Sequence, residues 1–136
     1  MTPDRRYPRS PITATSPSRH TQLGPAEVRL LDDWGRALRA TFPGAFVCHV
    51  GSSMVRPDWR DIDVRIMLRN DDFATLATVI KPRRLNLMLT LWGRQVTGLP
   101  IDCQIQSAAT ANDRYPTDKH PRNMLGMRDS EGEEGA

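Results

Sequence analysis

The sequence predicts an α+β fold, a small mixed β-sheet with helices packed on one face. Three observations lead there. Apolar residues recur at spacings of three and four in three segments. Two short runs alternate with period two. The order is helix, strand, strand, helix, helix, strand. Pro25-Ala26-Glu27 opens the first helix, predicted over 26–41, because proline is tolerated in a first turn and an acid suits a helix N-terminus. Val28, Leu31, Trp34 and Leu38 form its apolar stripe, with Arg29, Asp32, Asp33 and Arg36 between them, and Pro43-Gly44 stops it. Phe46-Val47-Cys48-His49-Val50 is β-branched and aromatic and ends at Gly51, which predicts a buried strand.

In the next strand, 62–68, Ile62, Val64, Ile66 and Leu68 share one face, with Asp63 and Arg65 on the other. Asp61 precedes it with the same parity as Asp63. That alternation predicts one face in the core and one face open. Asp71 or Asp72 caps a short helix carrying Phe73, Leu76, Ala77 and Ile80, which Pro82 interrupts. A further helix over 84–97 carries Leu85, Met88, Leu89, Trp92 and Val96 and ends at Gly98, with Pro100 beyond it. Ile101, Cys103 and Ile105 then alternate with Asp102, Gln104 and Gln106, a third strand.

The charge is uneven. Residues 1–22 hold four arginines, one aspartate and four prolines without periodicity, and read as a disordered basic leader. Residues 129–136, ending Glu131-Gly132-Glu133-Glu134-Gly135-Ala136, read as a disordered acidic tail. The folded domain is expected over 23–128, with 121–128 folding back on the sheet. A formal net charge of +3 does not argue for nucleic acid but suits an anionic small molecule. No apolar run approaches the roughly 20 residues of a bilayer helix, so no membrane partner is expected, and no secretory signal is recognised. Two cysteines, Cys48 and Cys103, cannot build a disulfide framework and read as small core residues in a reduced, cytoplasmic protein.

The chemistry concentrates at strand ends. Asp61 and Asp63 are two apart and leave the same face, so their charges repel unless something neutralises them. A hard divalent cation does so, since Mg²⁺ takes oxygen ligands and is commonly held by one or two carboxylates plus substrate phosphates. Asp102 joins them if its strand pairs beside theirs. Gly51-Ser52 lies just past a strand, where glycine lets backbone approach an anion and the hydroxyl can bond phosphate oxygens. Arg56 and Arg60, in the spacer, are placed to meet phosphate charge.

His49-Val50-Gly51-Ser52, a short spacer, Asp61-Ile62-Asp63-Val64 and then Ile101-Asp102-Cys103 resemble the polymerase-β-like nucleotidyltransferase superfamily over residues 45–106. The resemblance implies a nucleotidyltransferase-like fold in which Gly51 and Ser52 hold the phosphates of a nucleoside triphosphate. It implies that Asp61, Asp63 and Asp102 bind Mg²⁺ or Mn²⁺, and that Asp102 also orients or deprotonates the attacking hydroxyl. The implied activity is transfer of a nucleoside monophosphate to a hydroxyl of RNA, protein or a small molecule. Most members append an acceptor-binding domain. Here only about 30 residues follow Asp102, so a second subunit or another protein is expected to complete the acceptor site. The alternative is a non-catalytic binding or regulatory module of that fold, such as an antitoxin-like partner protein.

Other residues carry plainer expectations. His49 alternates out of the apolar face and reads as a hydrogen-bonded strand histidine. Trp34 and Trp92 belong to the core, whereas Trp59 either covers the core or stacks a base. Lys81, Arg83 and Arg84 read as solvated surface charges.

Overall fold

A computed structural model describes residues 21–117 and 119–127. The expected leader and tail lie outside them, apart from Thr21 and Gln22. The Gln22 N–H donates to the Ser53 carbonyl at 2.9 Å.

Helix α1 (Pro25–Thr41) leads into strand β1 (Phe46–Val50) and a one-turn helix α2 (Ser52–Val55). Strand β2 (Ile62–Leu68) follows, then helices α3 (Asn70–Ala77) and α4 (Pro82–Thr97), strand β3 (Ile101–Ser107), helix α5 (Ala108–Arg114) and a two-residue strand β4 (Asn123–Met124). The sheet has four strands in the order β3-β2-β1-β4. It is mixed: β1 runs antiparallel to β2 and to β4, while β2 and β3 are parallel. A parallel pair needs a long crossover, and α3 with α4 supplies it. No helix among the described residues is long and apolar enough to cross a membrane.

The α1 stripe packs as its spacing requires: Leu31, Trp34 and Leu38 are buried against Val47, Val64, Ile66, Ile101 and Ile105 of the sheet. Each such side chain contributes about 1.5–3 kcal/mol. Trp34 meets Trp92 of α4 edge-to-face, with ring centroids 5.8 Å apart. Gly93 permits that approach, because a Cβ there would come within 2.6 Å of the Trp34 ring. The Gly24 N–H donates to Glu27 Oε1 at 2.7 Å and secures the start of α1.

Several expectations change. Pro82 starts α4 instead of merely interrupting a helix, since its missing N–H costs nothing in a first turn. The residue before α3 is Arg69, not Asp71 or Asp72. Met88 and Val96 of α4 are exposed, because the core-facing arc of α4 centres on Leu89 and Gly93. Phe46, at the outer end of β1, is also exposed.

The face of the sheet expected to be open is partly covered. A second cluster of Cys48, Val50, Met67 and Ala111, with Tyr115 packed against it, sits there beneath α5. Helices therefore lie on both faces, not one. Cys48 belongs to this second cluster and Cys103 to the main core. Burial pushes the Cys48 thiol up to about 11 and the Cys103 thiol up to about 12, so neither is a thiolate nucleophile near neutrality.

Residues 121–127 do fold back. β4 pairs with the edge of β1, the Leu125 N–H donates to the Val47 carbonyl at 2.8 Å, and Leu125 is buried. The Gly126 N–H donates to Oδ1 of Asp32 at 2.7 Å, which explains why Asp32 is buried on a helix where the spacing assigns it to the polar side.

Candidate phosphate and cation site

The parallel register sets Asp63 of β2 directly beside Asp102 of β3. Both leave the face opposite the main core, since Ile62 and Val64 flank one and Ile101 and Cys103 flank the other. Their carboxyl groups are within hydrogen-bonding reach of each other. Burial holds the Asp63 carboxyl above the usual range, Arg65 opposes that, and the nearby charges of Asp102 and Asp61 add to it. Asp61 itself is exposed, one residue before β2. Asp63 and Asp102 are thus brought together, with the charge of Asp61 acting on Asp63 from the strand entrance.

Gly51 closes the site from the β1 side. Val50 is opposite Asp63 in the antiparallel ladder, so the chain turns away immediately beside that carboxylate. Gly51 has φ 86° and ψ −162°, a region that essentially only glycine occupies. A Cβ there would overlap Oδ2 of Asp63 and stand 3.0 Å from its Cγ. Ser52 then begins α2 and is half-buried at the same rim.

The turn is braced from below. His49 Nε2 and Ser53 Oγ are 2.6 Å apart, a hydrogen bond that spans Gly51 and Ser52. The Met54 N–H donates to the Gly51 carbonyl at 3.0 Å, and the Arg56 N–H to the Ser52 carbonyl at 2.7 Å. His49 is hydrogen-bonded as expected, but it lies on the main-core face with Val47. Both faces of β1 are covered, so alternation there does not separate inside from outside. Burial lowers the His49 pKa from 6.5 to about 4.

That shift has a measurable consequence. The unfolded chain takes up the His49 proton near pH 6.5 and the folded chain only near 4. Stability is therefore whole above pH 6.5 and declines as pH falls towards 4, by up to about 3 kcal/mol. Urea midpoints at pH 7 and pH 4.5 are expected to differ less in His49→Gln than in the wild type. Equal differences in both would show that His49 does not contribute.

The loop arginines behave differently from each other. Arg56 directs Nε and Nη2 at the two carboxylate oxygens of Asp58, at 3.0 and 2.9 Å, on the surface. Arg60 is exposed near the end of the same loop. Trp59 is half-buried against the main core.

The basic residue placed beside the carboxylates is Arg65, which the motif reading passed over. Its Nη2 lies 3.9 Å from Oδ1 of Asp63 and 3.9 Å from Oδ2 of Asp102. The available signal was parity: Arg65 follows Asp63 by two on the same strand face.

Among the described residues, no three His, Cys, Asp or Glu side chains are grouped so as to hold a metal ion by themselves. The paired carboxylates do fit a hard cation of the Mg²⁺ kind, which needs only one or two of them when phosphates complete its shell. They offer oxygen donors, they repel each other, and their side chains keep 21% and 41% exposure towards solvent. No family model matches the chain, and no curated protein or solved structure matches it either.

Proposed function

We propose that the chain is a metal-dependent nucleotidyltransferase that moves a nucleoside monophosphate from a nucleoside triphosphate to a hydroxyl acceptor. The observation that carries this is the meeting of one turn and two strand positions: Gly51 against Asp63, and Asp63 beside Asp102. It sets the Gly51–Ser52 turn, which in this reading meets the phosphates, against two carboxylates that repel each other.

In this reading Asp63 and Asp102 hold Mg²⁺ or Mn²⁺, with Asp61 adding negative charge at the entrance. The ion supplies neutralisation of phosphate charge. The Gly51 backbone and the Ser52 hydroxyl orient phosphate oxygens, and the brace from His49 to Ser53 keeps them from shifting. Asp102, the more exposed of the paired carboxylates, accepts the proton of the attacking hydroxyl. The hydroxyl oxygen bonds to the α-phosphorus and pyrophosphate leaves. The acceptor is a hydroxyl of RNA, protein or a small molecule, and a protein partner or a second copy completes its binding surface.

A second reading is a non-catalytic module of the same fold. Arg65 favours it, because this buried cation already offsets the two carboxylates. One experiment separates the two. The full chain is incubated with each α-labelled triphosphate and a cellular extract separated into RNA, protein and small-molecule fractions, with Mg²⁺ or with chelator. Label transferred to one fraction only when Mg²⁺ is present supports the enzyme. No transfer with any triphosphate overturns it in favour of the module.

A further inference from the structure

Arg65 has no part in the transfer chemistry above, yet it is the most constrained side chain at the site. It is 4% exposed and stands on the same face as Asp63 and Asp102. Both carboxylate distances, 3.9 Å, are too long for hydrogen bonds and well within Coulombic reach. The guanidinium is held from elsewhere. Nη1 donates to the carbonyl oxygens of Val64 and of Asp102, each at 2.9 Å. Nη2 lies 3.4 Å from the Tyr115 hydroxyl, and the Tyr115 ring faces the guanidinium carbon at 5.9 Å. Nε has no hydrogen-bond partner among the described residues.

Arg65 is therefore a fixed positive charge, because a guanidinium does not deprotonate in a protein. It is anchored by backbone and tyrosine, so the carboxylates can turn to another cation without releasing it.

We infer that Arg65 is the resident counter-ion of the site. It keeps Asp63 and Asp102 side by side without a metal, and its charge opposes an arriving divalent cation. The site alone then holds such a cation weakly, and firm binding requires the negative charge of a triphosphate. This last step rests on the nucleotidyltransferase reading; the counter-ion role does not. Arg65 is thus a positioning residue that makes cation binding conditional on nucleotide.

The test measures Mn²⁺ binding to the full chain by calorimetry, at fixed neutral pH and low salt, with and without a non-hydrolysable triphosphate. Arg65→Gln is expected to bind Mn²⁺ alone about tenfold or more tightly than the wild type, since one positive charge a few ångströms away is removed. Arg65→Lys, which keeps the charge, is expected to stay near the wild type. A merely structural arginine predicts the opposite sign, weaker binding in Arg65→Gln. Should Arg65→Gln unfold without metal, Mn²⁺ is expected to refold it, read by far-UV circular dichroism. Failure to refold overturns the counter-ion role.

The two ideas fail separately. Wild-type binding of Mn²⁺ alone as tight as that of Arg65→Gln overturns the counter-ion role and leaves the enzyme reading standing. If the wild type binds no Mn²⁺ even with triphosphate while Arg65→Gln binds it, the enzyme reading falls and the counter-ion role stands. If neither binds, both fall.

Discussion

Asp63→Asn is expected to lower metal-dependent label transfer by roughly a hundredfold to a thousandfold or more, with the fold retained. Asparagine keeps the size of the side chain and removes its charge, so the loss would report the missing anionic ligand and not a cavity. The structure explains why stability survives. Ionised Asp63 is already disfavoured by burial and by its neighbours Asp102 and Asp61, so neutralising it relieves repulsion. Arg65 loses one carboxylate but keeps Asp102 at 3.9 Å and both of its carbonyl acceptors. Relief of repulsion and loss of one carboxylate beside Arg65 oppose each other, so the net change in unfolding free energy is expected to be small. Urea unfolding and labelled transfer on the same preparation check both halves. Activity within tenfold of the wild type would make Asp63 an ordinary strand residue.

Gly51→Ala combines two effects that the first variant keeps apart. At φ 86° and ψ −162° an L-residue costs about 1–3 kcal/mol. The added methyl also overlaps Oδ2 of Asp63, and crowding of this kind costs about 1–3 kcal/mol more. β2 cannot yield, because it is laddered on one side to β1 and on the other to β3. The carboxylate must therefore swing away, and with it the pairing to Asp102. The expected result is a loss of about 2–6 kcal/mol of stability together with loss of metal-dependent transfer. Chemical denaturation and the transfer assay read the two separately. An unchanged urea midpoint would mean that the turn at Gly51 relaxes freely and does not press on Asp63.

The difference between the two variants also bears on how the site is built. Asp63 supplies a charge, whereas Gly51 supplies room for that charge. A motif reading assigns both positions to ligand binding, but only the ladder pairing of Val50 with Asp63 shows that the glycine touches the carboxylate. The same holds for Ser53, which no motif singled out. It is fully buried, and it ties the turn at Gly51 to His49.

What the sequence determined by itself is what depends on near neighbours along the chain. The spans 46–50 and 62–68 coincide with β1 and β2, the first because a β-branched and aromatic run stops at a glycine and the second because a period-two run is bounded by turn residues. The stripe of Leu31, Trp34 and Leu38 and the stop of α4 at Gly98 follow from helical spacing and from the left-handed cap that glycine provides. Parity placed Asp61, Asp63 and Arg65 together, and Asp102 with Gln104. Tertiary structure alone decided which residue of β3 stands beside Asp63, since parity allows shifts of two and only packing of α3 and α4 across the sheet selects one. It alone decided that Arg65 and Met67 are buried, because α5 and Tyr115 come from 40 or more residues away to cover that face. It decided, too, that Asp32 serves Gly126, a pairing 94 residues apart. Contacts along a strand or helix are set by the geometry of the local backbone, whereas contacts between distant segments exist only once the whole core has closed.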